Sequence, residues 1–246
     1  MDDGTDRRSN MSASTQESED AQRVELESWT KHSCDVTRIL HELAEHSGVS
    51  RPLRRLTGEK RFARALEVGV GCFGLGFLAA HFSDRIDRMD GLDPLPRLEL
   101  QPNDAALRRY LQEIRARMAY VVGQGERLPF DSAVYDLVVS INVVDHAQTP
   151  EKILEEMNRV LKPGGLLVFG VNTLSALGEL KWRIGRWFEP GRFLYVAHPH
   201  TFQWRRADAM VRRTVRGKML WCNKPHSVTV VAGHGRMSFW ILKKDD

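Results

Sequence analysis

The chain has 246 residues, of which 42% are hydrophobic, and a formal net charge of +4. This length and composition predict one domain with a proper hydrophobic core. No apolar run reaches the ~18 residues of a membrane-spanning helix, and the polar start MDDGTDRRSN is not typical of a signal peptide. The three widely spaced cysteines predict neither a disulfide framework nor a metal site. We therefore expect a cytoplasmic protein without a transmembrane segment.

Charge is distributed unevenly along the chain. Residues 1–30 hold eight acidic and three basic side chains, whereas residues 174–246 hold fourteen basic and five acidic ones. A basic C-terminal part can attract an anionic substrate, a nucleic acid or an acidic membrane surface. A solvated arginine-rich surface would give the same pattern, so these interpretations stay open.

The N-terminal part precedes the main domain. Residues 1–26 are polar and predict a disordered tail, because they cannot bury enough apolar surface to offset the entropy lost on ordering. Residues 27–60 predict a helical cap, in which a helix runs from Asp35 to about His46. Residues 61–246 form the predicted main domain.

Strands and helices alternate along the main domain, which predicts an α/β fold with a doubly wound, mainly parallel sheet and helices on both faces. One predicted helix starts at Asn103 or Asp104, and another has Thr149 as its cap and Pro150 at its first position. Residues 205–213 predict the last helix. The predicted strands lie near residues 64–70, 87–92, 119–123, 136–141, 166–171, 218–222 and 237–243, which makes the sheet seven-stranded.

Residues 174–203 interrupt this alternation as a lid-like insertion. Leu177, Leu180, Ile184 and Trp187 recur at helical spacing and predict an amphipathic helix. Packing of this helix against the domain is the favoured role. A substrate lid, a homodimer contact and a membrane-surface element are the alternatives.

A glycine-rich loop follows the first predicted strand, in the stretch ALEVGVGCFGLGF. Glycine is needed where a ligand rests on the backbone, and Gly69, Gly71 and Gly74 stand in the loop. Asp93 follows at the end of the second predicted strand, where a carboxylate can accept both hydroxyl groups of a ribose. The pattern predicts an adenosine-containing cofactor.

Two cofactor classes fit this loop. The glycine spacing matches the dinucleotide fingerprint, but a pyrophosphate favours a bare helix N-terminus and is repelled by a neighbouring carboxylate. Glu67 supplies such a carboxylate. It suits the cationic methionyl part of S-adenosylmethionine, although it could instead be a capping acid at the strand end.

Further motifs lie downstream, at GQGERLPF (123–130), YDLV (135–138), VDH (144–146) and RVLKPGG (159–165). Together they resemble the class I S-adenosylmethionine-dependent methyltransferases over about residues 62–173. The resemblance implies that S-adenosyl-L-methionine is the cofactor. In this chain Phe73 replaces the family's third glycine, and Gln124 replaces an aspartate that accepts from adenine. The predicted cofactor-binding residues are Glu67, Gly69, Gly71, Gly74, Asp93, Gln124, Gly125, Glu126 and Asn142.

Candidate bases for the methyl acceptor are Asp145, His146, His198 and His200. Asp145 and His146 follow the fourth predicted strand, where His146 could also pack structurally. The segment HPHTF (198–202) resembles one that precedes the last helix in many relatives. Its histidines could line the acceptor site or satisfy backbone carbonyls. A metal is not predicted.

The sequence thus predicts a methyltransferase acting on a small molecule, with O-methylation expected from the resemblance alone. A nucleic-acid methyltransferase is a rival because of the basic C-terminal part, but the aromatic-proline motif for methylating base amines is missing after strand four. A nicotinamide-dependent oxidoreductase and a non-catalytic binding protein are further alternatives.

Overall fold

The computed structural model describes residues 20–31, 40, 46–99, 102, 104–223 and 235–246. Its centre is one sheet in the order β3-β2-β1-β4-β5-β8-β7, with β6 beside β5. The strands β1 to β6 pair in parallel, and β8 runs antiparallel to both β5 and β7. The strands are β1 (Phe62–Val68), β2 (Ile86–Asp93), β3 (Met118–Val122), β4 (Tyr135–Ile141), β5 (Leu161–Leu174), β6 (Phe202–Gln203), β7 (Gly217–Cys222) and β8 (Arg236–Lys244). The sheet is mainly parallel, as predicted, but the described residues form eight strands rather than seven.

Helices pack against both faces of the sheet. Successive residues of a strand point to opposite faces, so Ala65 of β1 belongs to one hydrophobic cluster and its neighbour Leu66 to the other. The first cluster includes side chains of α2, α3 and α4, and the second those of α5 and α8. The helices are α1 (20–31), α2 (Ser50–Thr57), α3 (Phe77–His81), α4 (Ala105–Ala116), α5 (Pro150–Val160), α6 (Ala176–Phe188), α7 (Phe193–Ala197) and α8 (Trp204–Thr214).

Local signals placed two helix starts correctly. Asp104 is the N-cap of α4, and its side chain accepts a hydrogen bond from the Leu107 amide at 2.7 Å. Thr149 is the N-cap of α5 and Pro150 its first residue, although the Thr149 hydroxyl makes no capping bond. These helices therefore begin where residue chemistry at their ends predicts.

Other boundaries differ from the expectations. Residues 20–26, predicted to be disordered, belong to α1, and the predicted helix from Asp35 falls almost entirely outside the described residues. The helix α3 begins at Phe77, directly after the glycine-rich loop. The strand predicted near residues 166–171 begins earlier, at Leu161, which already pairs with Tyr135 of β4.

The predicted amphipathic helix exists as α6, but its apolar stripe does not pack against the domain. Leu180 is 53% exposed and Trp187 is 78% exposed. The opposite face points inward, where Trp182 packs edge-on against Tyr195 of α7 at 5.2 Å between ring centroids. The helix therefore packs against the domain through the face opposite its apolar stripe. Across the described part of the chain, none of the helices combines the length and apolarity needed to cross a bilayer.

Candidate active site

A cavity of about 370 Å³ opens at the carboxyl ends of β1, β2 and β4. A smaller cavity of about 50 Å³ adjoins it and shares Gly69, Val143 and His146. Ligands of doubly wound sheets bind at this edge. The predicted residues that line the larger cavity are Glu67, Gly69, Gly71, Asp93, Asn142, His146 and His198. Those that line the smaller one are Gly69, Gln124, Gly125, Glu126 and His146.

The glycine loop forms one wall of the larger cavity. Gly69 has a φ of 75°, and a Cβ there would lie 2.1 Å from a methyl group of Val143. Gly71 also has a φ of 75°, but nothing lies within 4 Å of a Cβ placed on it. Gly69 is therefore required for close packing, whereas Gly71 leaves its side of the backbone open.

Gly74 does not line the cavity, in contrast to its predicted role. A Cβ on Gly74 would point to Tyr120 and Arg97 at 3.3 and 3.4 Å. Gly76 lines the cavity instead of Gly74, and a Cβ on Gly76 would clash with the Glu67 carboxylate. Phe73, which stands where the family has its third glycine, is buried, and its ring contacts Trp29 of α1 edge-on at 5.6 Å.

Glu67 is buried at the end of β1 and links the strand to α3. Its two carboxylate oxygens accept hydrogen bonds from the amides of Phe77 and Leu78 at 2.7 and 2.9 Å. Burial raises the pKa of Glu67 to about 7, and the two hydrogen bonds only partly oppose this effect. The capping role considered at first is thus what this carboxylate performs in the structure, while it also faces the cavity.

Asp93 lies at the end of β2 on the same cavity. Its carboxylate accepts hydrogen bonds from the amides of Gly71 at 2.8 Å and Leu95 at 3.0 Å, so it fixes the glycine loop. Burial raises the pKa of Asp93 to about 7, and the nearby Glu25 carboxylate adds to the rise. Two acids of unusually high pKa therefore border one cavity, which is typical of functional sites.

The smaller cavity holds the downstream motif residues. Gln124 is exposed and contacts Gln22 of α1 at 3.4 Å. Gly125 is buried where a Cβ would press on Ile153 at 3.1 Å. The Glu126 carboxylate accepts a hydrogen bond from the backbone N–H of Gln148 at 3.0 Å, which fixes the loop before α5.

Asn142 closes the end of β4 in a left-handed conformation with a φ of 59°. Its side-chain oxygen accepts a hydrogen bond from the Asn172 amide group of β5 at 3.0 Å. Residues with positive φ other than glycine are uncommon and store backbone strain. Both asparagines line the larger cavity, so polar amide groups form its wall between β4 and β5.

Asp145 and His198 form a pair at the cavity, although 53 residues separate them in sequence. The Nδ1 atom of His198 lies 2.8 Å from Oδ2 of buried Asp145, and the rings of His146 and His198 are 4.2 Å apart. Burial alone would raise the pKa of Asp145, but the charges of the two histidines lower it. Asp145 is therefore an ionised partner for an imidazole.

His146 and His200 take different positions around this pair. Burial opposes protonation of His146, but the Asp145 and Glu25 carboxylates raise its pKa nonetheless. His200 donates its backbone N–H to the Asp145 carbonyl at 3.3 Å, and it is not one of the described residues that line either cavity. The structure thus brings three of the four candidate bases together and leaves His200 beside them.

Among the cavity residues that were not predicted, four come from segments outside the loops that follow the strands. Glu25 and Trp29 come from α1, His46 precedes α2, and Phe193 begins α7. Burial, together with the charge of His81, lowers the pKa of His46 to about 4, so His46 is neutral at physiological pH. No local motif marks these residues, because they reach the cavity only through the tertiary arrangement.

Asp145, His146 and His198 also have the composition of a metal site, although no metal was predicted. Their ligand-type atoms lie within 4.8 Å of one another. Two imidazoles and a carboxylate can bind several transition metals. The direct Asp145–His198 contact equally suits an acid–base pair, which needs no metal.

Comparison with known proteins matches part of this chain to methyltransferases. Residues 66–169 match a protein family described as a methyltransferase domain. An uncharacterized methyltransferase from Mycobacteroides abscessus is 27% identical over 72% of this chain and 68% of its own length. The human thiol S-methyltransferase TMT1B is 33% identical over 56% of this chain, which spans about half (54%) of that relative.

A solved structure shares the fold. The 1,6-didemethyltoxoflavin-N1-methyltransferase of Burkholderia thailandensis, with its substrate and S-adenosylhomocysteine bound, has a TM-score of 0.60 and 16% identity. The alignment covers 91% of this chain and 88% of that one. Residues 66–169 therefore resemble a methyltransferase domain, and these likenesses together support a methyltransferase enzyme.

Proposed function

We propose that the protein transfers a methyl group from S-adenosylmethionine to an ionisable hydroxyl or thiol group of a small molecule. The observation that carries this proposal is the Asp145–His198 pair, whose histidine lines the same cavity as Glu67 and Asp93. One end of the cavity then holds the methyl donor, and the other end holds a base for the acceptor.

The residues at the donor end fit the cofactor. The space beside Gly71 is open where a Cβ would stand, so a ligand can rest on the backbone. The carboxylates of Glu67 and Asp93 supply negative charge for a cationic ligand, and Asp93 keeps lone pairs for ribose hydroxyls. Gln124 and Gly125 would border the adenine in the smaller cavity, with Asn142 near the junction with the acceptor end.

The cofactor would supply a methyl group bound to a sulfonium sulfur, and the rest of the cofactor would leave as a neutral thioether. The protein's own task is to position and deprotonate the acceptor. Nδ1–H of His198 donates to Asp145, which leaves Nε2 as the basic nitrogen. In the step, the methyl–sulfur bond breaks, a bond from the acceptor oxygen or sulfur to the methyl carbon forms, and the acceptor proton passes to Nε2.

The acceptor atom remains a choice between oxygen and sulfur. The initial expectation of O-methylation came from the family resemblance alone. The likeness to a thiol S-methyltransferase favours sulfur as the second candidate, and a thiol loses its proton more readily than a phenol, with pKa values of about 8.5 and 10. The predicted anionic acceptor, homodimer and cytoplasmic location stay predictions.

A panel of matched acceptors tests the proposal. The protein would be incubated with methyl-labelled S-adenosylmethionine and with a phenol, the corresponding thiophenol, the corresponding aniline and an RNA. We expect label in the phenol or the thiophenol together with stoichiometric S-adenosylhomocysteine. Label confined to the aniline or to RNA would contradict the assignment of the base.

A further inference from the structure

The helix α6 carries an exposed apolar stripe that the proposed active site does not use. Five apolar side chains recur along it at three- and four-residue spacing, so they form one continuous row on the solvent side of the helix. Such a row is costly in water and marks an interaction surface. Its members are Leu177 (51% exposed), Leu180 (53%), Ile184 (48%), Trp187 (78%) and Phe188 (70%).

The rest of α6 explains why the stripe stays outside. The inward face carries Gly178 and Gly185, and a Cβ at Gly185 would lie 2.0 Å from the Tyr195 hydroxyl. Glu179 anchors the same face, since its carboxylate accepts a hydrogen bond from Arg206 at 2.9 Å. The helix is thus fixed by its small and polar side, and the stripe points away from the core.

Basic side chains flank the stripe. An α-helix turns by about 100° per residue, which places Lys181 on one side of the apolar row and Arg183 on the other. Both side chains are exposed. The acidic residues of the segment are neutralised locally, because Glu179 pairs with Arg206 and Glu189 pairs with Arg192. The surface therefore combines exposed tryptophan and phenylalanine with unbalanced positive charge.

We infer that α6 docks the protein onto an anionic phospholipid surface. An apolar row with aromatic side chains and flanking bases is the arrangement of helices that lie in the plane of a membrane interface. Charge complementarity selects the lipid, since Lys181 and Arg183 attract acidic headgroups while the apolar row enters the acyl boundary. This inference goes beyond the proposed reaction and does not depend on the acceptor.

Exposed apolar side chains also lie on α7, the helix that follows α6 in the chain. Phe193 and Leu194 of α7 are 40% and 42% exposed, and Phe193 also lines the larger cavity. Docking through α6 therefore holds the acceptor end of the active site close to the bilayer surface. An acceptor dissolved in the membrane could then reach the cavity without crossing bulk water.

Vesicle sedimentation tests the inference. The full chain would be mixed with vesicles of phosphatidylcholine alone or with about one third phosphatidylserine. We expect binding to the mixed vesicles that weakens with salt. Each basic side chain near an anionic surface contributes about five-fold in affinity, so Lys181→Ala combined with Arg183→Ala should weaken binding about 20- to 30-fold. Arg51→Ala with Arg55→Ala, on exposed positions of α2, is the matched control.

A second pair of variants tests the apolar row. Trp187→Ser with Phe188→Ser should reduce vesicle binding about ten-fold or more while the thermal unfolding temperature stays unchanged, because both side chains are exposed. Tyr110→Ser with Val122→Ser changes two exposed apolar side chains elsewhere and should keep binding. Absence of vesicle binding, equal losses in the test and control pairs, or a dimer that the Trp187 and Phe188 changes dissociate without affecting lipid binding would overturn the inference.

Discussion

The carboxylate of Glu67 caps the first turn of α3 by accepting hydrogen bonds from the amides of Phe77 and Leu78. The same side chain faces the cavity that we assign to the methyl donor. Glu67 therefore couples the shape of the glycine loop to the charge of the site. A change at this residue affects both stability and ligand binding.

We first predict the effect of Glu67→Gln. The amide keeps one acceptor oxygen but turns its NH₂ group toward a backbone N–H, which leaves a buried donor without a partner. The free energy of unfolding should fall by about 1–3 kcal/mol, as measured by urea denaturation. Glu113→Gln, an exposed change on α4, is the control and should have little effect. Equal stability of Glu67→Gln and the parent would show that the cap contributes nothing.

The raised pKa values of Glu67 and Asp93 predict a pH dependence of cofactor binding. Both acids lose their protons near pH 7 in the unliganded protein, and a cationic ligand favours the ionised forms. Affinity for S-adenosylmethionine should therefore rise about ten-fold from pH 6 to pH 8 for each acid that must ionise. Calorimetry would measure this rise, and Asp93→Asn should flatten it. Affinity that is constant with pH would contradict the electrostatic assignment.

The same two acids predict a change in stability without ligand. An acid with a higher pKa in the folded state binds its proton more tightly when folded, so its contribution to stability is largest below its unfolded pKa. The unfolded values are near 4.5 for Glu67 and 3.8 for Asp93. Their contribution should be lost as the pH rises from about 4 to 7. Urea denaturation across this range should show a smaller decline for Asp93→Asn than for the parent, and an identical decline would contradict the raised pKa.

Gly69 and Gly58 offer a matched pair for the loop. Both have positive φ angles, but a Cβ on Gly69 meets Val143 at 2.1 Å, whereas a Cβ on Gly58 meets nothing within 4 Å. Gly58→Ala should cost only the backbone strain, about 1 kcal/mol. Gly69→Ala adds a clash inside the core and should cost about 3 kcal/mol or more and weaken S-adenosylhomocysteine binding. Similar losses in the two variants would show that the close approach to Val143 is unimportant.

The proposed base for the acceptor predicts that substitutions of His198 and of His200 lower kcat to different extents. His198 lines the cavity and contacts Asp145, while His200 meets the Asp145 segment only through its backbone. His198→Ala should lower kcat about 10²-fold or more with cofactor affinity kept, and His200→Ala should lower it much less. Asp145→Asn removes the carboxylate that accepts from Nδ1 of His198 and should also lower kcat. An equal loss for both histidines would shift the base away from His198.

Sequence patterns predicted the sheet and much of the donor end because these depend on local chemistry. The acid cap at Asp104, Pro150 at a helix start and the glycines before α3 act over a few residues. Alternation of strands and helices then places Glu67, Asp93 and Asn142 at one edge of the sheet. That placement agrees with the cavity in the structure.

The parts that were missed depend on contacts between distant segments. Glu25 reaches the cavity because α1 packs over the loop, and no pattern near Glu25 indicates this position. The pairing of Asp145 with His198 depends on the path of the chain through α6 and α7. The exposed row on α6 was read as a packing face because amphipathic spacing identifies the apolar side but not what covers it.

The position of β8 has a consequence for how the chain is made. Among the described strands, β7 pairs only with β8, and β8 also borders β5. During synthesis β7 therefore leaves the ribosome before β8, its neighbour among the described strands, has been made. The sheet is completed only after residues 236–244 have left the ribosome. Stop codons shortly upstream of β8 should yield chains that are captured by chaperones rather than shortened but working enzymes.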